Sequence, residues 1–87
     1  MYLLVVYDIK EDRVSKVCKF LRQYLNWVQN SVFEGEVTEA KLEKIKLGLK
    51  KIIDINYDSI LFYSVSDEKW INKQTLGVTR SPTDNII

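Results

Sequence analysis

Histidine is absent from the chain and cysteine occurs once, as Cys18. That removes His-ligated and multi-cysteine zinc sites, Ser-His and Cys-His nucleophilic catalysis, and every intrachain disulfide. A lone thiol with no export signal fits the reducing cytoplasm. Proline is nearly missing too, and the single Pro82, following Ser81, forces a break close to the C-terminus. No apolar run approaches the roughly 20 residues that a bilayer-spanning helix needs, so no membrane partner is expected. The apolar opening stretch follows Met1 directly and meets Asp8 with no basic region before it, which describes a strand and not a signal peptide. Charge of one sign is not in excess: 13 Lys and Arg face 12 Asp and Glu, for a net +1. That balance excludes a disordered charged tail and a polycationic coat for nucleic acid. The 87 residues hold one core and one domain, 1–87, small enough that burial of further surface in an oligomer is expected.

What is present is strongly patterned. Met1 to Tyr7 (MYLLVVY) is apolar almost without interruption and rich in branched and aromatic side chains, as in a central strand buried on both faces. Asp8 ends it. Asp12 or Glu11 is placed to cap a helix starting near Arg13, in which Val14, Val17, Cys18, Leu21, Tyr24 and Leu25 form one apolar stripe and Asn26 a stop. Between Trp27 and Val37 the alternation changes parity, with Val28 and Val32 on one register and Phe33 and Val37 on the other. That slip predicts two short strands joined by a turn or bulge near Asn30-Ser31. Thr38 caps a second helix with the stripe Leu42, Ile45, Leu49, Ile52 and Ile53. Gly48 inside it costs up to about 1 kcal/mol against Ala, which points to a close helix–sheet contact. Asn56-Tyr57-Asp58 reads as a turn, Ser59 to Val65 as a strand, and Lys73 to Val78 as a short further strand. The order β-α-β-β-α-β predicts an α+β, ferredoxin-like sandwich, two helices on one face of a four-stranded antiparallel sheet.

Two features carry candidate chemistry. Asp8 emerges at the C-terminal end of the central strand. There it either caps the turn into the first helix or serves as a carboxylate ligand for Mg²⁺ or Mn²⁺, since Mg²⁺ uses only one or two carboxylates and fills the rest of its octahedron with water and phosphate. A two-fold axis near Asp8 supplies a second one. The other feature is the face formed by Lys10, Arg13, Lys16, Lys19 and Arg22: residues 10–22 sum to +3 (five basic, two acidic), leaving −2 for the rest. It reads as a solvated helix face or as a nucleic-acid-binding surface reaching backbone phosphates, with Lys10, Arg13 and Lys16 as its candidates. Tyr7, Phe20, Trp27 and Phe33 are placed first as core or interface aromatics. The pattern expected of a single-strand RNA reader with this topology is absent from the sequence.

Three stretches taken together resemble one family: Val6-Tyr7-Asp8 ending the first strand, Val28-Gln29-Asn30-Ser31-Val32-Phe33-Glu34-Gly35-Glu36, and the tail with Leu76-Gly77 and Asn85-Ile86-Ile87. The chain is similar over essentially its whole length to the second core CRISPR-associated protein, Cas-two, the small partner of the CRISPR integrase. The resemblance implies a homodimer in which residues 68–87 dock on the partner's sheet. It implies a role in spacer acquisition, in which the dimer joins the integrase subunit and holds duplex prespacer DNA. Many members of that family are also described as Mg²⁺-dependent endonucleases on single-stranded RNA or duplex DNA. Carried onto this sequence, Asp8 is the metal-binding and catalytic aspartate, Tyr7 its motif neighbour at the catalytic position, Ser31 and Phe33 the motif positions near the site, and Arg13 a basic helix residue. One departure is Trp27, where many members carry arginine. With no histidine to act as a base, a scaffold ranks ahead of a metal-dependent phosphodiesterase. The alternative is a toxin-like endoribonuclease on the same fold with no integrase partner.

Overall fold

The computed structural model describes residues 1–80. The break at Ser81-Pro82 and the terminal Asn85-Ile86-Ile87 lie outside the described residues. The elements follow the expected order: β1 (Tyr2–Asp8), α1 (Glu11–Leu21), β2 (Asn26–Gln29), β3 (Val32–Glu36), α2 (Glu39–Ile52) and β4 (Ser59–Val65), then a 3₁₀ turn at Glu68–Trp70. The sheet order is β2-β3-β1-β4 with every neighbouring pair antiparallel. This is the ferredoxin-like α+β arrangement.

The strand pleat divides β1 between two environments. Leu3, Val5 and Tyr7 point toward the helices and join Val17, Leu21, Leu25, Phe33, Val37, Ile45 and Leu49 in one buried cluster. Tyr2, Leu4, Val6 and Asp8 point to the other face, where Tyr2 is buried, Leu4 and Val6 are half-buried and Asp8 is exposed. The expectation of burial on both faces is therefore met fully on the helix side and in part on the other.

Four local expectations hold. β2 and β3 meet at a turn in which Asn30 takes φ +42°, with a register shift between Trp27 and Gln29. Thr38 caps α2 by accepting the Lys41 N–H at 3.1 Å. Residues 55–57 turn the chain into β4, and β4 spans Ser59–Val65 as expected.

Others need correction. The N-cap of α1 is Lys10, and neither Glu11 nor Asp12 caps it; both lie inside its first turn. The helix ends at Leu21, and Asn26 opens β2 instead of stopping α1. Residues 22–25 form tight turns through Tyr24 and Leu25 N–H bonds to the Leu21 carbonyl at 3.0 and 2.9 Å. Leu25 still reaches the core and packs so near β3 that a Cβ on Gly35 would sit 3.2 Å from its Cδ2. Gly48 marks a helix–helix contact, not a helix–sheet one: a Cβ there would lie 2.1 Å from the Phe20 ring of α1. In place of a strand over Lys73–Val78 there is a single bridge residue, Thr75. Gly77, at φ +96°, turns the chain out of the extended path.

Candidate functional site

Asp8 is the last residue of β1 and pairs with Ser59, the first of β4. Its even register puts the carboxylate on the helix-free face, where it is exposed. Only Ile9 and Lys10 separate it from α1, so the geometry of that connection decides where the carboxylate sits.

The connection is anchored by Asp58. Its side chain is fully covered and accepts from four donors. Oδ1 takes the Lys10 N–H at 2.9 Å and the Arg13 Nη2 at 3.0 Å. Oδ2 takes the Arg13 Nε at 2.6 Å and the Asp54 N–H at 2.8 Å. A carboxylate offers about four lone-pair sites, so all are filled. The start of α1, which has no side-chain cap of its own, is thus tied to the α2–β4 connection, and Asp58 brings negative charge to the positive end of the helix. The Arg13 fork, helped by the Asp54 and Lys10 amides, holds the Asp58 carboxyl well below the usual carboxylate range against the opposing effect of its burial. Arg13 is held more firmly protonated in return, chiefly by its hydrogen bonds to Asp58. The sequence reading took Asp58 as a turn residue only.

The sequence-predicted residues fall into four groups. Asp8, Lys10 and Lys16 are exposed. Arg13 turns inward: its fork is on Asp58 and its Nη1 lies 3.3 Å from Asp12 Oδ2. Tyr7 and Phe33 belong to the core, 5% and 0% exposed, with ring centroids 6.1 Å apart. Tyr7 leaves β1 on the face opposite to Asp8. Its hydroxyl meets Cys18 Sγ at 3.0 Å, and burial, then the contact with Cys18, push its ionisation well above the usual tyrosine range. Tyr7, the motif neighbour of Asp8 in sequence, is thus set in the core on the other side of the sheet from that carboxylate. Ser31 is half-buried, and its carbonyl accepts the Tyr7 N–H at 3.0 Å, which carries the β1–β3 pairing to the residue before Asp8. Trp27 closes the hairpin by donating Nε1–H to the Asn30 carbonyl at 3.2 Å.

Among the described residues no group of three or more carboxylates or thiols stands together. One chain therefore presents Asp8 as an exposed carboxylate outside any such group. That donor set suits Mg²⁺, which keeps several waters, when a second carboxylate is supplied from outside the chain.

Around Asp8 the helix-free face is apolar. Leu61 and Tyr63 of β4 are 51% and 56% exposed and stand opposite Val6 and Leu4. On the β3 side a pocket lies between the sheet and the chain's own residues beyond β4, lined by Leu4, Val28 and Val32 on one side and Gln74, Thr75 and Leu76 on the other. Lys73 pairs there with Glu34, which is buried, at 5% exposure. Burial, reinforced by Glu34 and Glu68, pushes the Tyr2 hydroxyl above its ordinary range. Sequence reasoning quoted Glu34 within a motif and missed its burial.

An open-faced ferredoxin-like sheet with an exposed carboxylate at the end of its central strand defines the class. Residues 1–73 match the family described as CRISPR associated protein Cas2. The chain is 56% identical over 87 residues, the whole of both chains, to the CRISPR-associated endoribonuclease Cas2 of Pyrococcus furiosus. It is 52% identical, again over the whole of both, to that of Methanosarcina acetivorans. A crystal structure of Cas2 superposes with a TM-score of 0.87 at 41% identity, covering 100% of this chain and 98% of the other. Streptococcus pyogenes Cas2 gives 0.75 at 39% identity, over 88% and 100%. The chain belongs to the Cas2 family and is a CRISPR-associated protein.

Proposed function

We propose that this protein is a dimeric scaffold of CRISPR spacer acquisition, binding duplex prespacer DNA by its backbone beside the integrase subunit, with metal-dependent phosphodiester cleavage centred on Asp8 as a second capacity. The observation that carries the reading is the uncovered apolar half of the sheet face, Leu61 and Tyr63 with Val6 and Leu4, ending at Asp8. A second copy covering that face draws two Asp8 carboxylates toward one axis. Lys10 and Lys16, both exposed, offer cations to phosphate, and a dimer doubles them. Two Asp8 carboxylates would hold Mg²⁺ or Mn²⁺. Such a metal would supply Lewis-acid polarisation of a phosphoryl oxygen and make a bound water more acidic, in a chain with no histidine to serve as general base.

Wild type and Asp8→Ala are assayed for metal-dependent cleavage and, with the integrase present, for spacer integration. Loss of cleavage with integration intact supports the scaffold. Loss of integration on Asp8→Ala, with the dimer preserved, sinks it. The relatives' endoribonuclease names favour RNA as a cleavage substrate, and wild type that cleaves neither RNA nor duplex DNA with Mg²⁺ or Mn²⁺ removes the enzymatic half. Neutralising Lys10 and Lys16 lowers the salt slope of DNA binding by about 0.9 per lost phosphate contact. An unchanged slope makes them a solvated face.

A further inference from the structure

The Asp8 carboxylate has the tightest positional demand in the proposed reading, because two groups from separate chains have to meet one cation. Sites of this kind need their ligands held within about 0.5 Å. Exposed strand ends are also where native chains open most readily. The sheet fixes Asp8 on one side only, through its pairing with Ser59. On the other side the chain runs through Ile9 to Lys10.

Asp58 closes that gap. It directly precedes Ser59 in the sequence and accepts the Lys10 N–H. The residues flanking the Asp8 connection are therefore tied to two consecutive residues of the α2–β4 junction, one by the sheet and one by a covered side chain. Arg13 fixes the Asp58 carboxylate in turn, gripping both oxygens from the first turns of α1, and Asp54 N–H holds it from the end of α2. Strand end, helix start and the opposite loop become one rigid knot.

We infer that Asp58 is a positioning residue for the Asp8 site, with Arg13 as its clamp. The inference rests on Asp8 being a metal ligand. It also gives Arg13 a duty other than phosphate contact: its charge is spent inside the molecule, on the residue that sets the carboxylate in place.

The test uses the full chain and Mn²⁺ alone as the probe. Mn²⁺ binding is followed by the paramagnetic resonance of the free ion, and exchange of the Ile9 and Lys10 amides is measured beside it. Asp58→Asn keeps the shape but replaces one acceptor oxygen with a donor. Loss of a residue that orients a ligand costs about 10–100-fold in metal affinity, so Asp58→Asn is expected to weaken Mn²⁺ within that range and to speed Ile9 and Lys10 exchange. Arg13→Lys keeps the charge without the fork and falls between. It also supplies the readout should Asp58→Asn fail to fold. Thr38→Ala, which removes the cap of the other helix, lowers stability and leaves Mn²⁺ affinity and those two amides unchanged. Wild type that binds Mn²⁺ no better than Asp8→Ala overturns the metal reading and the inference with it. Wild type that binds, with Asp58→Asn and Arg13→Lys binding equally well, overturns the positioning role alone.

Discussion

The two faces of this sheet share their strands but not their fate. On the helix side Leu3, Val5 and Phe33 are sealed, each at 0% exposure. On the other face Leu61 and Tyr63 of β4 stand half in water, while on the β3 side the chain's own residues beyond β4 line a pocket against the sheet. The difference separates duties. The sealed face supplies the burial that holds a small domain together, while the open face carries Asp8, the uncovered apolar surface and the Glu34–Lys73 pair. Substitutions on one face should therefore read out as stability, and on the other as assembly.

The largest effect is expected from Phe33→Ala. Phe33 is the bulkiest of the fully buried side chains, and its removal should cost about 3–5 kcal/mol, measured as a lower denaturant midpoint. Next comes the helix–helix seam. Gly48→Leu drives atoms into the Phe20 ring, which already stands 2.1 Å from an added Cβ. Overpacking of this kind costs about 1–3 kcal/mol, and Phe20→Ala in the same chain should recover part of it. A Gly48→Leu protein as stable as wild type breaks the account of the seam.

The faces also differ in how pH reaches them. Tyr7 on the sealed face and Tyr2 on the open one both have ionisation pushed above the ordinary value of 10.0. Above pH 10 the unfolded chain loses those protons while the folded chain keeps them, so stability falls as pH rises. Tyr7→Phe and Tyr2→Phe should each flatten that alkaline decline in urea melts taken across pH. At the acid end the sign reverses. Asp58, depressed from an ordinary 3.8, adds stability above about pH 4 that is lost as pH falls below it, and Asp58→Asn should remove that limb.

The sequence made some of this readable because the signals were local. An unbroken apolar run marked β1, the parity change between Val32 and Phe33 marked the β2–β3 hairpin, and Thr38 three residues before Lys41 marked a cap. The misses that bear on the site were mostly long-range. Glu11 and Asp12 looked like caps for α1, but the N-cap is Lys10, and its amide is held by Asp58, 48 residues away. Arg13 looked like a free cation until the fold placed its fork on that same carboxylate. Glu34 sat in a motif, and the partner of its buried carboxylate, Lys73, lies 39 residues on. Tyr7 stands next to Asp8 in sequence, and the period of two that makes a strand legible is what sends their side chains to opposite faces. The exposed place of Asp8 at the end of β1 was legible because an acidic residue closing an apolar strand stands out locally, whereas the long-range bonds of Asp58 do not.

The smallest effect on the fold of one chain, and the one that bears most on assembly, belongs to Leu61→Lys. Leu61 is half-exposed and projects from the face opposite to the core, so within a single chain the change is worth no more than about 0.5 kcal/mol. In a dimer closed over that face the same lysine is buried without a partner, which is costly. Dimers also gain stability with concentration, because association favours only the folded state. Wild type should therefore scatter light as a dimer and melt at a higher temperature as its concentration rises. Leu61→Lys should scatter as a monomer, with a melting temperature independent of concentration and near the wild-type value extrapolated to high dilution. A Leu61→Lys protein that still scatters as a dimer would move the interface off this face, and with it the reason for two Asp8 carboxylates to meet.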